Sequence, residues 1–156
     1  MITYPRSVKI HKKSAELQFS LMRPKDIKDE TGKVKSSETG CIFLEIAKPK
    51  NDGTEYMDWD NGLRMKIGPR DIAQIVSGVR STGTTKLFHR SEKEGSVPTD
   101  TTLNIDPGND NTFKWSVFKN QGDSKRNVTI FLDQYDMFMV FNMLEAAMPV
   151  IHGWVE

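Results

Sequence analysis

Apolar and polar side chains alternate along several short segments in the first half of the chain. In residues 15–21 every second residue is apolar, which is typical of a β-strand with one buried face. Residues 41–47 form a more continuous apolar run, as in a strand that is covered on both faces. Residues 56–59 and 63–67 predict two further short strands. Between the first two strands, residues 24–40 are rich in Lys, Asp, Glu, Gly and Ser and predict a mobile loop.

The first predicted helix follows these strands. Gly68 and Pro69 mark its start, because proline is favoured at the first helical position. Four apolar residues at helical spacing predict one buried stripe: Ile72, Ile75, Val76 and Val79. The helix is expected to end near residues 81–83.

The second half repeats the order of strands and then a helix. Residues 86–89, 101–105, 113–118 and 128–133 predict strands. A final helix over 135–148 is expected to begin after Asp133 as its N-cap and to stop at Pro149. This helix is apolar nearly all round, so we expect it to be buried or to pack against another chain. The order strands, helix, strands, helix predicts an α+β fold in a single domain over 1–156.

Composition excludes some classes of protein. The chain has 156 residues and one cysteine. Its net charge of +1 excludes a strongly basic, histone-like protein. The longest apolar stretch, 137–151, is shorter than the roughly 20 residues that span a bilayer, so we expect no membrane segment. The N-terminus does not resemble a signal peptide, and no transit peptide is seen. We therefore expect a cytoplasmic protein, located in the host cytoplasm or nucleoid if it comes from a phage or a bacterium.

The charges are unevenly distributed. Residues 1–36 contain nine basic and four acidic residues, whereas 133–156 contain four acidic residues and neither Lys nor Arg. A basic face opposite an acidic end would fit an anionic partner. The alternative is that the basic residues form an ordinary solvated N-terminal face and that the final helix happens to lack lysine.

Residues that could carry catalysis are few. The three histidines have no metal-ligand spacing, and Asp58 and Asp60 lack the further carboxylates that a cation site needs. Motifs for phosphate loops, dinucleotide binding, serine hydrolases and zinc proteases do not occur. We predict that the chain is not an enzyme and holds neither a cofactor nor a metal.

Aromatic residues interleaved with lysines are typical of proteins that bind single-stranded nucleic acid. Residues 86–90 and 113–119 both show this pattern. If Phe113, Trp115 and Val117 face the core, Lys114 and Phe118 face outward together. The alternative is that a helix covers one face of the sheet and a subunit covers the other.

Five segments resemble motifs of the Whirly family of single-stranded DNA-binding proteins. Residues 11–17 resemble its K-G-K-A-A-L strand, 55–59 its Q-Y-D-W, and 65–72 its helix entry. Residues 87–89 are similar to its F-F-H, and 148–154 to its L-P-H-(I/L)-x-G-W ending. The resemblance implies two antiparallel four-stranded sheets packed crosswise with two helices. It also implies a homo-oligomer, as a tetramer, that binds single-stranded DNA with little sequence preference.

The function expected from this resemblance is to coat and protect single-stranded DNA in replication, recombination or repair. The expected nucleic-acid-binding residues are Lys12, Lys13, Lys86, Phe88, Lys114, Trp115, Phe118, Lys119 and Phe131. Two alternatives stay open: an RNA-binding protein of the same fold, because stacking does not distinguish DNA from RNA, and a structural oligomer that binds no nucleic acid.

Overall fold

The chain folds into two four-stranded antiparallel sheets, each followed by an α-helix. A computed structural model describes residues 7–154. The first sheet contains, in spatial order, β1 (Ser7–His11), β2 (Glu16–Met22), β5 (Cys41–Ala47) and β6 (Leu63–Ile67). A hairpin of β3 (Lys25–Lys28) and β4 (Val34–Glu38) is inserted between β2 and β5. The helix α1 (Pro69–Thr82) follows β6.

The second half has the same plan. Its sheet contains β7 (Thr85–Ser91), β8 (Thr99–Pro107), β9 (Phe113–Gln121) and β10 (Ser124–Leu132), each paired with the next. The helix α2 (Gln134–Ile151) ends the second half. The predicted α+β fold, with two four-stranded antiparallel sheets and two helices, is confirmed.

The inner faces of both sheets and one side of each helix form a single hydrophobic core. Phe19 of the first sheet meets Trp115 of the second edge to face, with ring centroids 6.1 Å apart and planes at 87°. The indole N–H of Trp115 donates to the sulfur of Met137 in α2 at 3.2 Å. Trp115 therefore connects three elements of the core, which makes it a major contributor to stability.

Both ends of α1 lie where the sequence predicts them. Pro69 is the first helical residue, and the backbone N–H of Gly68 donates to the Asp71 carboxylate at 3.0 Å. Gly83 ends the helix with φ of 75°, a left-handed conformation that glycine adopts without steric cost.

The start of α2 is also confirmed, but its predicted end is wrong. The carboxylate of Asp133 accepts the backbone N–H groups of Tyr135 and Asp136, both at 2.9 Å. Pro149 lies inside the last turn, and the helix continues to Ile151. Proline removes one N–H donor, but the N–H of His152 still donates to the carbonyl of Met148 at 3.1 Å and holds the turn.

The segment 24–40, predicted to be a loop, instead forms the β3–β4 hairpin. Its turn is fixed by Asp29, whose carboxylate accepts the N–H groups of Thr31 at 2.9 Å and Lys33 at 3.0 Å. Every residue of β3 and β4 is exposed. Without a buried face the strands show no alternation of apolar residues, which is why the pattern did not predict them.

Two further differences concern the first half. Residues 56–59 form no strand: Met57 makes an isolated bridge to Pro49, and a 3₁₀ turn covers Trp59–Asn61. The edge strand β1 was not predicted from the pattern, because Ile10 is its only buried residue.

Candidate nucleic-acid interface

The side of the second sheet that points away from the core carries aromatic and polar side chains. Successive residues of a strand point to opposite faces, so the strand register identifies the residues of this side. We call it the aromatic face, and its central residues are Lys86, Phe88, Thr102, Asn104, Lys114, Ser116, Phe118, Thr129 and Phe131.

Two aromatic rings lie in one row across this face. Phe88 and Phe118 are both aligned with Thr102, which lies between them on β8. With strands about 4.8 Å apart, the two phenylalanine positions are about 10 Å from each other. The side chain of Phe88 is 56% exposed, and Phe118 is half-buried. A small residue between two accessible rings suits planar ligands that stack.

The third ring and the cations complete the aromatic face. Phe131 is 47% exposed and is paired in register with Lys114 on the neighbouring strand. Lys86 and Lys114 are exposed, and neither forms an ion pair with any residue in 7–154. Asp106, the other neighbour of Lys114, adds one negative charge to this edge of the face. The two ammonium groups are thus available to an anionic ligand.

The centre of the aromatic face is polar. The hydroxyls of Ser116 and Thr129 are hydrogen-bonded at 2.9 Å. The side-chain oxygen of Asn104 is buried, and within the described part of the chain it has no hydrogen-bond partner. A buried acceptor without a partner carries a desolvation cost.

Trp115 and Lys119, both expected to contact nucleic acid, lie on the other side of the second sheet. Trp115 is fully buried, so its ring cannot stack on a base at the surface. Lys119 is half-buried and shares the inward orientation of Val117, because the two residues are two positions apart on one strand. The aromatic–lysine pattern in the sequence therefore mixes residues of opposite faces.

Lys12 and Lys13 differ in what they contact. The ammonium of Lys12 lies 2.7 Å from the carboxylate of Asp136 and 3.7 Å from that of Asp133. The hydrogen bond to Asp136 raises the pKa of Lys12 above its ordinary value, against a smaller opposing effect of burial. Lys12 thus fastens the β1–β2 turn to the start of α2, whereas Lys13 is exposed. Only Lys13 is free to neutralise a phosphate without losing a contact.

The outer side of the first sheet carries aromatic and basic residues that sequence reasoning missed. The guanidinium of Arg64 lies 4.4 Å from the ring centroid of Phe43 and 3.2 Å from the Glu45 carboxylate. Lys9 lies 5.7 Å from the ring centroid of Trp59. Phe43 stands in a continuous apolar run, so its outward orientation becomes visible only once Ile42, Leu44 and Ile46 are known to point inward.

A sequence model described as "Whirly transcription factor" matches residues 10–142, most of the chain. The chain belongs to the Whirly family. No match was found among curated proteins.

Solved structures show the same Whirly fold. WHY3 and WHY1 from Arabidopsis thaliana each superpose with a TM-score of 0.81 at 18% identity, over 99% of this chain and 92% and 89% of theirs. The plant transcriptional regulator PBF-2 gives 0.80 at 19% identity, over 99% of this chain and 86% of its own. MRP1/MRP2 of Trypanosoma brucei gives a lower TM-score, 0.59, at 13% identity, over 98% and 90% of the two chains.

The helix α2 of this Whirly chain keeps apolar side chains at its surface. Tyr135, Phe138 and Met139 are 72%, 71% and 53% exposed, close to the start of the helix.

Within residues 7–154, none of the helices is long and apolar enough to cross a bilayer. The same residues contain no cluster of three or more His, Cys, Asp or Glu that could hold a metal ion.

Proposed function

We propose that this Whirly chain binds single-stranded DNA without sequence preference and, as a homo-oligomer, coats and protects it in replication, recombination or repair. The observation that carries the proposal is the row of Phe88 and Phe118 on the aromatic face, next to the unpaired Lys86. Rings of this kind stack on any base, because every base has a π-face. Unpaired ammonium groups beside them neutralise phosphates at no cost to existing ion pairs.

The proposal includes the assembly and its location. Tyr135, Phe138 and Met139 form an exposed apolar surface on α2, which supports contact with further copies of the chain. A tetramer is the expected size, and a mass measurement in solution tests it against a dimer. The expected location is the cytoplasm or nucleoid, where single-stranded DNA is formed.

The first test is a fluorescence titration with labelled oligo(dT) at low and at moderate salt. We expect binding at low salt and an affinity that falls as salt rises, since bound phosphates release counterions. A duplex of equal length is the matched ligand, and it should bind more weakly because its bases are not free to stack. If oligo(dT) does not bind at low salt, the proposed function is wrong.

RNA is the main alternative ligand, because stacking and phosphate contacts do not depend on the 2′-hydroxyl. Competition of oligo(U) against labelled oligo(dT) decides between the two polymers. We expect the deoxy oligomer to compete at least as well. Preference for oligo(U) would make the chain an RNA-binding protein, and binding of neither would favour a structural oligomer.

A further inference from the structure

A polar cleft lies between the two sheets, away from the centre of the aromatic face. Its volume is about 400 Å³, and it is lined from the first half of the chain by Lys48, Asp58 and Asn61. From the second half, Lys125, Arg126 and Asn127 of β10 line the opposite wall. We call it the intersheet cleft.

The intersheet cleft has an excess of positive charge. Three cations line it, Lys48, Lys125 and Arg126, against the single carboxylate of Asp58. None of the three cations forms an ion pair within residues 7–154. The Asp58 carboxylate accepts a hydrogen bond from the side chain of Asn61 at 2.9 Å. The cleft therefore offers ammonium groups to an anion, and it is large enough to hold a phosphate with its sugar.

One wall of the intersheet cleft is held in place by the fold. The guanidinium of Arg126 donates to the backbone carbonyl of Gly62 at 3.3 Å, which connects β10 to the turn before β6. One nitrogen of the guanidinium makes this contact, and the others remain available to a ligand. A cation fixed in this way loses little conformational freedom when it binds an anion.

The position of the cleft connects it to both outer faces. Asn127 on its wall is paired in register with Phe118 of the aromatic face. On the other wall, Asp58 directly precedes Trp59, over which the ammonium of Lys9 lies on the first sheet. A single strand of DNA that stacks on Phe118 and continues beyond β10 reaches the cleft before it reaches Trp59.

We propose that the intersheet cleft binds a phosphodiester group of single-stranded DNA where the strand leaves the aromatic face and crosses to the first sheet. Lys48 and Lys125, which come from the two halves of the chain, neutralise the phosphate, and Arg126 connects the two halves through the carbonyl of Gly62. The inference rests on the proposed function, because it assigns a phosphate subsite to the same ligand. It adds contacts that carry charge and no base recognition.

The test compares the salt dependence of oligo(dT) binding by the full chain and by the double variant Lys48→Ala/Lys125→Ala. Each phosphate that is no longer neutralised lowers the log–log slope by about 0.7 for a single strand, so for the one phosphate in the cleft we expect a slope smaller by about 0.7. Between 50 and 200 mM salt the variant should therefore lose about 2.6-fold less affinity than the wild type. Lys48→Arg/Lys125→Arg should keep the wild-type slope, since it keeps both charges.

The matched control is Lys33→Ala/Lys35→Ala, which removes two exposed lysines from the β3–β4 hairpin and leaves the cleft lining intact. An unchanged slope for Lys48→Ala/Lys125→Ala, or an equal reduction in the control, would overturn the cleft assignment and leave the proposed function standing. Loss of oligo(dT) binding by the wild type itself would instead overturn both. Thermal unfolding of each variant verifies that the fold is kept.

Discussion

The outer sides of the two sheets both carry aromatic and basic residues, but the contacts of these residues differ. On the first sheet, Arg64 lies against Phe43 and is paired with Glu45, and Lys9 is 3.7 Å from Glu16. On the second sheet the aromatic face has accessible rings, and its lysines form no ion pair within the described residues. The composition of the two sides is similar, and on the first sheet Lys66, in register with Phe43, is also exposed and outside any ion pair within the described residues. The main difference is that Arg64 covers the ring of Phe43, whereas the rings of Phe88 and Phe131 are exposed.

This difference shows that an aromatic residue next to a cation is not sufficient evidence for a binding site. A ring already covered by a guanidinium has to exchange one contact for another before it stacks on a base. A cation paired with a carboxylate likewise loses that interaction when it binds a phosphate. We therefore expect the aromatic face to supply most of the affinity for single-stranded DNA.

The largest expected effect is the loss of a ring from the aromatic face. Phe88→Ala and Phe118→Ala should each weaken oligo(dT) binding by about 1–3 kcal/mol, or about 5- to 150-fold, because each removes one base-stacking ring. Phe43→Ala, the matched change on the first sheet, should weaken binding by less than about 3-fold. Fluorescence anisotropy titration measures all three. An equal loss for Phe43→Ala and Phe88→Ala would contradict the difference between the faces.

A smaller effect is expected when a paired cation on the first sheet is released. Glu45→Gln removes the carboxylate that holds Arg64, so Arg64 becomes available to a phosphate. The log–log salt slope should rise in magnitude by about 0.7, with a gain of a few-fold in affinity at low salt. Glu94→Gln, which changes the same charge in the exposed β7–β8 connection, is the control. Identical slopes for the two variants would show that pairing does not restrain Arg64.

The lysines of the aromatic face should differ from Lys12 in their effect on binding. Lys86→Ala and Lys114→Ala should each reduce the salt slope by about 0.7, since both charges are unpaired. Lys12→Met should leave the slope unchanged, because the carboxylates of Asp136 and Asp133 already neutralise its charge. A reduced slope for Lys12→Met would show that Lys12 contacts a phosphate and would contradict this prediction.

The smallest expected effect is on stability. Lys12→Met should lower the free energy of unfolding by about 0.2–1 kcal/mol, the usual range for a pair at the surface. The pKa of Lys12 is raised in the folded chain, so its contribution is fully present below its ordinary value of 10.5 and is lost as pH rises through the folded value.

The stability contribution of this ion pair is also lost at acid pH, where its carboxylate partner becomes protonated. The pKa of Asp133 is lowered, first by the hydrogen bond from the backbone N–H of Asp136 and also by the charge of Lys12. Its contribution is therefore present above the ordinary value of 3.8 and is lost as pH falls through the folded value. The difference in melting temperature between wild type and Lys12→Met should be largest between these limits. A constant difference from acid to alkaline pH would contradict the ion pair.

Much of the fold could be predicted from the sequence, because its signals are local. Gly68, Pro69 and Gly83 mark the ends of α1 through their own backbone preferences. The outward orientation of Phe118 follows from strict alternation around Val117. In contrast, the β3–β4 hairpin has no buried face, and α2 continues past Pro149, although proline usually ends a helix. Neither feature has a signal in hydrophobic periodicity.

The candidate site was predicted less completely, because it depends on contacts between distant segments. Lys12 was expected to bind phosphate, and its pairing with Asp136 joins residues from opposite ends of the chain. Trp115 shares a lysine-rich segment with Phe118, but its position in the core depends on Phe19 and Met137. The intersheet cleft combines residues 48–61 with β10, so it exists only once the two halves have packed.

Photochemical cross-linking to an oligo(dT) that carries 5-iododeoxyuridine, followed by peptide mapping, identifies directly which rings stack on bases. Cross-links form only to side chains in contact with a base, so the mapped residues identify the stacking surface without any substitution. We expect cross-links at Phe88 and Phe118, with or without further ones at Trp59. Cross-links confined to the first sheet, at Phe43 or Trp59, would contradict a stacking role for the aromatic face.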